Sequence, residues 1–115
     1  MAQLEKKSFN APDQTMTPPK AENKIVTVGG KMVMRAEFQP GWKWSNDIGA
    51  AHGMAICDRH HFGYIESGTL AVRMQNGTEL EATAGDVVDI PPGHDAWVVG
   101  DAPVVLIDFG GLDSK

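Results

Sequence analysis

The chain has 115 residues, enough for one domain, and 42% hydrophobic with 22% charged residues suits a polypeptide that folds around a single core. A formal charge of −5, with the ten Lys and Arg residues scattered, argues against a phosphate-binding surface and so against nucleic acid and anionic membrane as partners. Cys57 is the sole cysteine, which excludes an intrachain disulfide; the start MAQLEKKSFN lacks an apolar leader and no stretch has spanning length, so a cytoplasmic, reduced protein is expected.

Residues 1–23 are polar and carry Pro12, Pro18 and Pro19. They predict an N-terminal arm that lies on a sheet edge or crosses to a partner subunit, because proline cannot donate to an internal ladder. From residue 24 the pattern is strand and turn. Runs at 24–28 and 31–38 flank Gly29-Gly30, and Pro40-Gly41 turns the chain into Trp42-Lys43-Trp44. Residues 45–54, SNDIGAAHGM, have room for one helical turn, but their two glycines favour a loop. Further strands are expected at 64–66, 69–75, 78–83, 87–90, 96–99 and 104–109. Asn76-Gly77 joins two of them as a two-residue hairpin with positive φ at both positions. Leu70, Val72 and Met74 share one face and Ala71, Arg73 and Gln75 the other, the period of a half-buried strand. The fold class is all-β, a sandwich or barrel over residues 24–110, with a C-terminal tail at 111–115.

Several stretches together resemble the cupin superfamily. GYIESGTLAVRMQNG (63–77) is similar to the first cupin motif and AGDVVDIPPG (84–93) to the second. PGWKWS (40–45), GHDAWVVGDAP (93–103) and SFNAPD (8–13) are similar to a compact cupin-2 group that includes domains attached to signalling modules. The resemblance implies a double-stranded β-helix, or jelly-roll barrel, with a pocket at one mouth. It also implies a metal set of two histidines one residue apart, a glutamate about four positions on, and a third histidine after the Pro-x-Gly corner. Carried onto this chain, those positions fall on Ala55, Cys57, His61 and Ala96, with His94 and Trp97 flanking the last. The usual four-ligand set is therefore absent as written, which weighs against iron-type oxygenase chemistry.

Cys57, His61 and His94 are the candidate metal ligands. Cys57 and His61 have the same strand parity, and the rigid Ile90-Pro91-Pro92-Gly93 corner delivers His94 towards them. A Cys-His-His set suits Zn²⁺, with a fourth position left for water, substrate or a carboxylate. The plainer alternative makes Cys57 core filling, His60-His61 one exposed and one buried ring, and His94-Asp95 a turn-fixing pair; His60, and less readily His52, are substitute ligands. Asp95 either accepts backbone N–H bonds in a turn or orients an imidazole. Trp42, Trp44 and Trp97 are packing residues or pocket walls, and Trp44, Asp95 and Trp97 are the candidate ligand-pocket residues. Tyr64, Glu66 and Arg73 should face outward.

No phosphate loop, nucleophile–base–acid trio or dinucleotide fingerprint is visible in the sequence. The reading is a small cupin that binds a divalent metal and a small polar ligand, with metal-assisted catalysis left open. The alternatives are a metal-free ligand-sensing or regulatory module and a dimeric scaffold. A homodimer is expected in either case, since cupins resemble dimers joined through an N-terminal strand.

Overall fold

The computed structural model describes residues 3–110, so the expected tail at 111–115 lies outside the described residues. These hold strands β1 (Gln14–Met16), β2 (Ala21–Val28), β3 (Lys31–Phe38), β4 (His61–Ser67), β5 (Thr69–Met74), β6 (Glu79–Thr83), β7 (Val87–Ile90), β8 (His94–Val98) and β9 (Val104–Asp108). One six-stranded sheet runs β1-β2-β3-β9-β4-β7 and one three-stranded sheet runs β6-β5-β8. All the pairings between these strands are antiparallel. This is the jelly-roll architecture expected of a double-stranded β-helix.

Side-chain alternation decides what goes inside. On β4, His61, Gly63 and Ile65 point inward while Phe62, Tyr64 and Glu66 are exposed. On β9, Val104, Leu106 and Asp108 are buried on the inner face. Ile65, Leu70, Val72, Val88, Ile90, Val98, Val104 and Leu106 fill the barrel between the sheets. Fully burying each such side chain contributes about 1.5–3 kcal/mol.

Gly63 faces Asp108 across the β4–β9 ladder. A methyl group on Gly63 would come within 2.2 Å of the Ile107 carbonyl oxygen, so only glycine lets these strands approach as they do.

Four local expectations are corrected. First, β2 starts at Ala21, because the hairpin register runs unbroken from Ala21↔Phe38 to Val28↔Lys31 and draws three arm residues into the sheet. The arm itself lies on the sheet edge as β1. The Asp13 carboxylate holds it there, accepting from the Thr27 N–H at 2.8 Å and from Lys7 Nζ at 2.8 Å.

Second, residues 42–44 form no strand beyond a single bridge, Lys43↔Trp97. Third, residues 45–54 are not the favoured loop but take the helical alternative: a single turn α1 (Trp44–Asp47) is followed by a 3-10 turn at Gly49–His52. The Asp47 carboxylate accepts the Lys43 N–H at 2.9 Å, closing that first turn. Fourth, the 75–77 turn has positive φ at Gly77 only. Asn76 Oδ1 accepts the Thr78 N–H at 2.9 Å, and Met74 is bonded to both Gly77 and Thr78, so the loop spans three residues instead of two.

Candidate functional site

β8 opens at His94 directly after the Pro-Pro-Gly corner, and its alternation places His94, Ala96 and Val98 inside. His94 Nδ1 donates to the Pro91 carbonyl at 2.7 Å. A carbonyl can only accept, so the proton sits on Nδ1 and Nε2 is left with a lone pair. The corner thus fixes both the orientation and the tautomer of this imidazole.

Cys57 reaches His94 through the backbone. Its N–H donates to the His94 carbonyl at 2.6 Å, and its own carbonyl accepts from Gly93 at 2.8 Å. The Cys57 backbone therefore bridges to the three-stranded sheet, whereas His61 begins β4 in the six-stranded sheet. Cys57 and His61 do not share a strand as their spacing predicts; residues 57–61 cross between the sheets. The two side chains still meet, with Cys57 Sγ 3.7 Å from His61 Nε2.

Asp108 completes the arrangement from β9. Its carboxylate accepts from His61 Nδ1 at 2.6 Å, and the residue is completely buried. The pairing directs His61 Nε2 towards the sulfur. The His61 and His94 rings lie edge to face with centroids 5.3 Å apart. One donor atom from each of Cys57, His61 and His94 lies within 4.8 Å of the others.

Charge follows from this geometry. Burial alone would raise the Cys57 thiol, but the hydrogen bond from His61, with the neighbouring His94 ring and the Arg59 backbone, outweighs it and brings its pKa down to about 6. Burial would likewise lower His61, yet Asp108 and then Cys57 overcome it and lift the imidazole to about 9. Without a metal, both shifts favour a thiolate beside an imidazolium whose far side rests on a carboxylate.

These groups border a cavity of about 120 Å³. Its other walls are Asn23, Met34, Phe38, Trp42, Trp44, Ile48, Arg59, Leu70, Ile90, Ala96 and Leu106. Most of that lining is apolar, with Cys57, His61 and His94 clustered on it and Arg59 also in the wall. Trp42 is buried and stacks on Phe38 at a centroid distance of 4.0 Å.

Of the sequence-derived candidates, Cys57, His61, His94 and Trp44 line this cavity, and Asp95 and Trp97 do not. The reason is β8 alternation, which turns Asp95 and Trp97 to the outer face. Asp95 instead ties α1 to β8: its Oδ1 accepts the Ser45 N–H at 3.0 Å and the Ala96 N–H at 2.9 Å, and its Oδ2 accepts the Ser45 hydroxyl at 2.8 Å. This holds the turn that carries Trp44 against the barrel. Trp97 has Lys43 Nζ 5.5 Å above its ring.

His60 pairs with Asp89 outside the cavity, and His52 is exposed on the 3-10 turn, so neither replaces a member of the cluster. Arg73 is exposed, and Glu66, also exposed, lies 3.9 Å from the Arg35 guanidinium.

Asp108 is the residue that sequence reasoning missed. Its signal was present: a lone acid in the apolar run VVLIDF, in phase with inward Val104 and Leu106. With it, Cys57, His61 and Asp108 do form a thiol–imidazole–carboxylate trio, contrary to the expectation that none exists. His94 is a second imidazole beside the same sulfur, more than a nucleophile and its base require, and it fits a metal-ligand set.

No family model and no curated protein matches the chain. Solved structures do. The chain is similar to KdgF from Halomonas sp., at 21% identity and a TM-score of 0.58 over 85% of this chain and 87% of that one. It is similar to a cupin-like protein from Thermotoga maritima, at 19% identity and a TM-score of 0.54 over 76% and 65%. A protein of unknown function from Rhizobium leguminosarum matches at 13% identity and a TM-score of 0.63 over 94% and 98%. At these identities the likeness establishes a cupin-like fold.

Proposed function

We propose that this chain is a small metal-binding cupin that holds one divalent ion, preferably Zn²⁺, and admits a small ligand beside it. Cys57 Sγ, His61 Nε2 and His94 Nε2 would be the protein ligands, with the fourth position facing the cavity. The observation that carries this reading is the anchoring of both imidazoles through Nδ1, one on Asp108 and one on the Pro91 carbonyl. Second partners of this kind fix ligating histidines and raise their basicity. A thiolate with two neutral imidazoles is a donor set suited to zinc.

A bound divalent ion would supply a Lewis-acid centre at the cavity wall. The chain's own part is distinct. Asp108 holds the His61 tautomer, the corner at 91–93 holds His94, and Trp44 with Ile48 restricts water at the wall. The single free thiol suits a reducing compartment such as the cytoplasm, and among the described residues no helix is long and apolar enough to cross a membrane.

The proposal extends to a homodimer. Phe62, Tyr64, Val87 and Phe109 are all exposed, and the β4 register with β7 and β9 puts them on one outer face of the six-stranded sheet. An apolar face of that kind suits a second copy of the chain.

Elemental analysis and zinc titration of purified protein test the central claim. One equivalent of metal is expected, lost in Cys57→Ala and His94→Ala. Failure to take up any transition metal, with ligand binding intact in Cys57→Ala, would shift the function to a metal-free sensing module. For the dimer, sedimentation of Tyr64→Glu and of a chain lacking residues 1–22 should show the monomer mass in at least one case; two unchanged dimers would exclude both surfaces.

A further inference from the structure

Two polar atoms in the cavity walls have no hydrogen-bond partner although both are buried: Asn23 Oδ1 and Trp42 Nε1. Neither contributes to the donor cluster described above. Buried polar groups are almost always paired, and an orphaned pair within one cavity marks a place where an external group can complete the bonding. Trp42 is 3% exposed, and stacking on Phe38 fixes its ring, so its N–H direction is set before any ligand arrives. Asn23 points inward from β2 in register with Ala36, which in turn faces Leu106 on β9. Asp108 lies two residues further along that same strand, facing Met34. The orphan acceptor thus sits one inward position along the sheet from the carboxylate that anchors His61.

We infer that the Asn23–Trp42 side of the cavity recognises an uncharged carboxamide, whose N–H donates to Asn23 Oδ1 and whose oxygen accepts from Trp42 Nε1. The proposal deepens the metal-binding reading and rests on it for the ligand's head, which would occupy the open coordination position; the amide subsite itself requires no metal. Pairing selects the class. A carboxylate accepts from Trp42 Nε1 but carries no N–H for Asn23 Oδ1, so it leaves that buried acceptor unpaired. An ester could accept from Trp42 but leaves Asn23 unpaired. A small amide matches both atoms and fits a cavity of about 120 Å³.

Calorimetry on the zinc-loaded protein with mercaptoacetamide, mercaptoacetate and methyl mercaptoacetate tests this, because all three share one metal-seeking head. The amide should bind about tenfold or more tighter than the other two. Asn23→Leu and Trp42→Phe should each erase that preference. Asn23→Leu should also raise the Tm of ligand-free protein by a few degrees, about 3 °C, since it removes an unpaired buried oxygen. A purely structural asparagine would lower the Tm instead.

Metal content measured on the same samples separates the two claims. Full zinc occupancy with three equal affinities overturns the amide subsite and leaves the metal reading standing. No zinc uptake overturns the metal reading, and acetamide against acetate on the metal-free protein then decides the subsite alone: preference for acetamide upholds it, and equal or no binding overturns it.

Discussion

Two histidine–aspartate pairs begin at adjacent residues. His60 meets Asp89 with side chains 40% and 63% exposed, while His61 meets Asp108 with side chains 20% and 0% exposed. The functional groups are the same. Water and salt screen the first pair, so its attraction is offset by hydration and side-chain entropy. The second has given up hydration on the carboxylate side, so each partner depends on the other. One step along a strand changes a surface contact into the support of a candidate metal ligand. Environment, more than residue type, assigns the role.

Breaking the inner pair should have the largest effect. Asp108→Ala leaves His61 without its anchor, and we expect a loss of about 3–5 kcal/mol in urea unfolding. Asp108→Asn keeps the volume but alters the His61 proton arrangement, and zinc affinity should fall about 10–100-fold in a chelator competition. Equal effects from Asp89→Asn would erase the contrast.

The pH response sharpens the same comparison. In metal-free protein, Cys57 falls from 9.0 to about 6, so its stabilising contribution is complete above 9 and is lost as pH falls through about 6. His61 rises from 6.5 to about 9, so its contribution is complete below 6.5 and is lost as pH rises through about 9. Between these limits the slopes oppose, because a proton has passed from sulfur to ring with no net uptake. Thiolate ultraviolet absorbance should titrate near pH 6, and stability should be nearly flat from 6.5 to 9. In His61→Gln the thiolate midpoint should move upward; His60→Gln should leave it in place.

Smaller effects are expected away from the inner pair. Asp95→Ala releases the Ser45 N–H and hydroxyl, and should cost about 1 kcal/mol while loosening Trp44, seen as a change in tryptophan fluorescence. Asp89→Asn should stay within about 0.5 kcal/mol of wild type, with unchanged zinc affinity.

Much of the fold was legible because strand alternation and Gly/Pro turns are local signals. Cys57, His61 and His94 were legible for a mixed reason: Cys57 and His61 fall on positions of a known motif without its identities, and His94 flanks another such position with the same inward parity. The pairings that join distant residues were not. Asp108 lies 47 positions from His61, and Asp95 lies 50 from Ser45, so no window of sequence contains either contact. α1 was ranked below a loop for the same cause, since its support includes an acid on β8. Trp97 is a different case: the alternation that turns His94 inward already places Trp97 outside, and its aromatic character drew it into the pocket list against that period.

The glycine opposite Asp108 carries a last consequence. Because a bare Cα at position 63 sets how near two backbones lie, drift there would alter the reach of a carboxylate it never touches. Chemistry and chassis are thus inherited as one unit: redesigning the donor atoms is open to side-chain exchange, but only in descendants that keep residue 63 without a side chain.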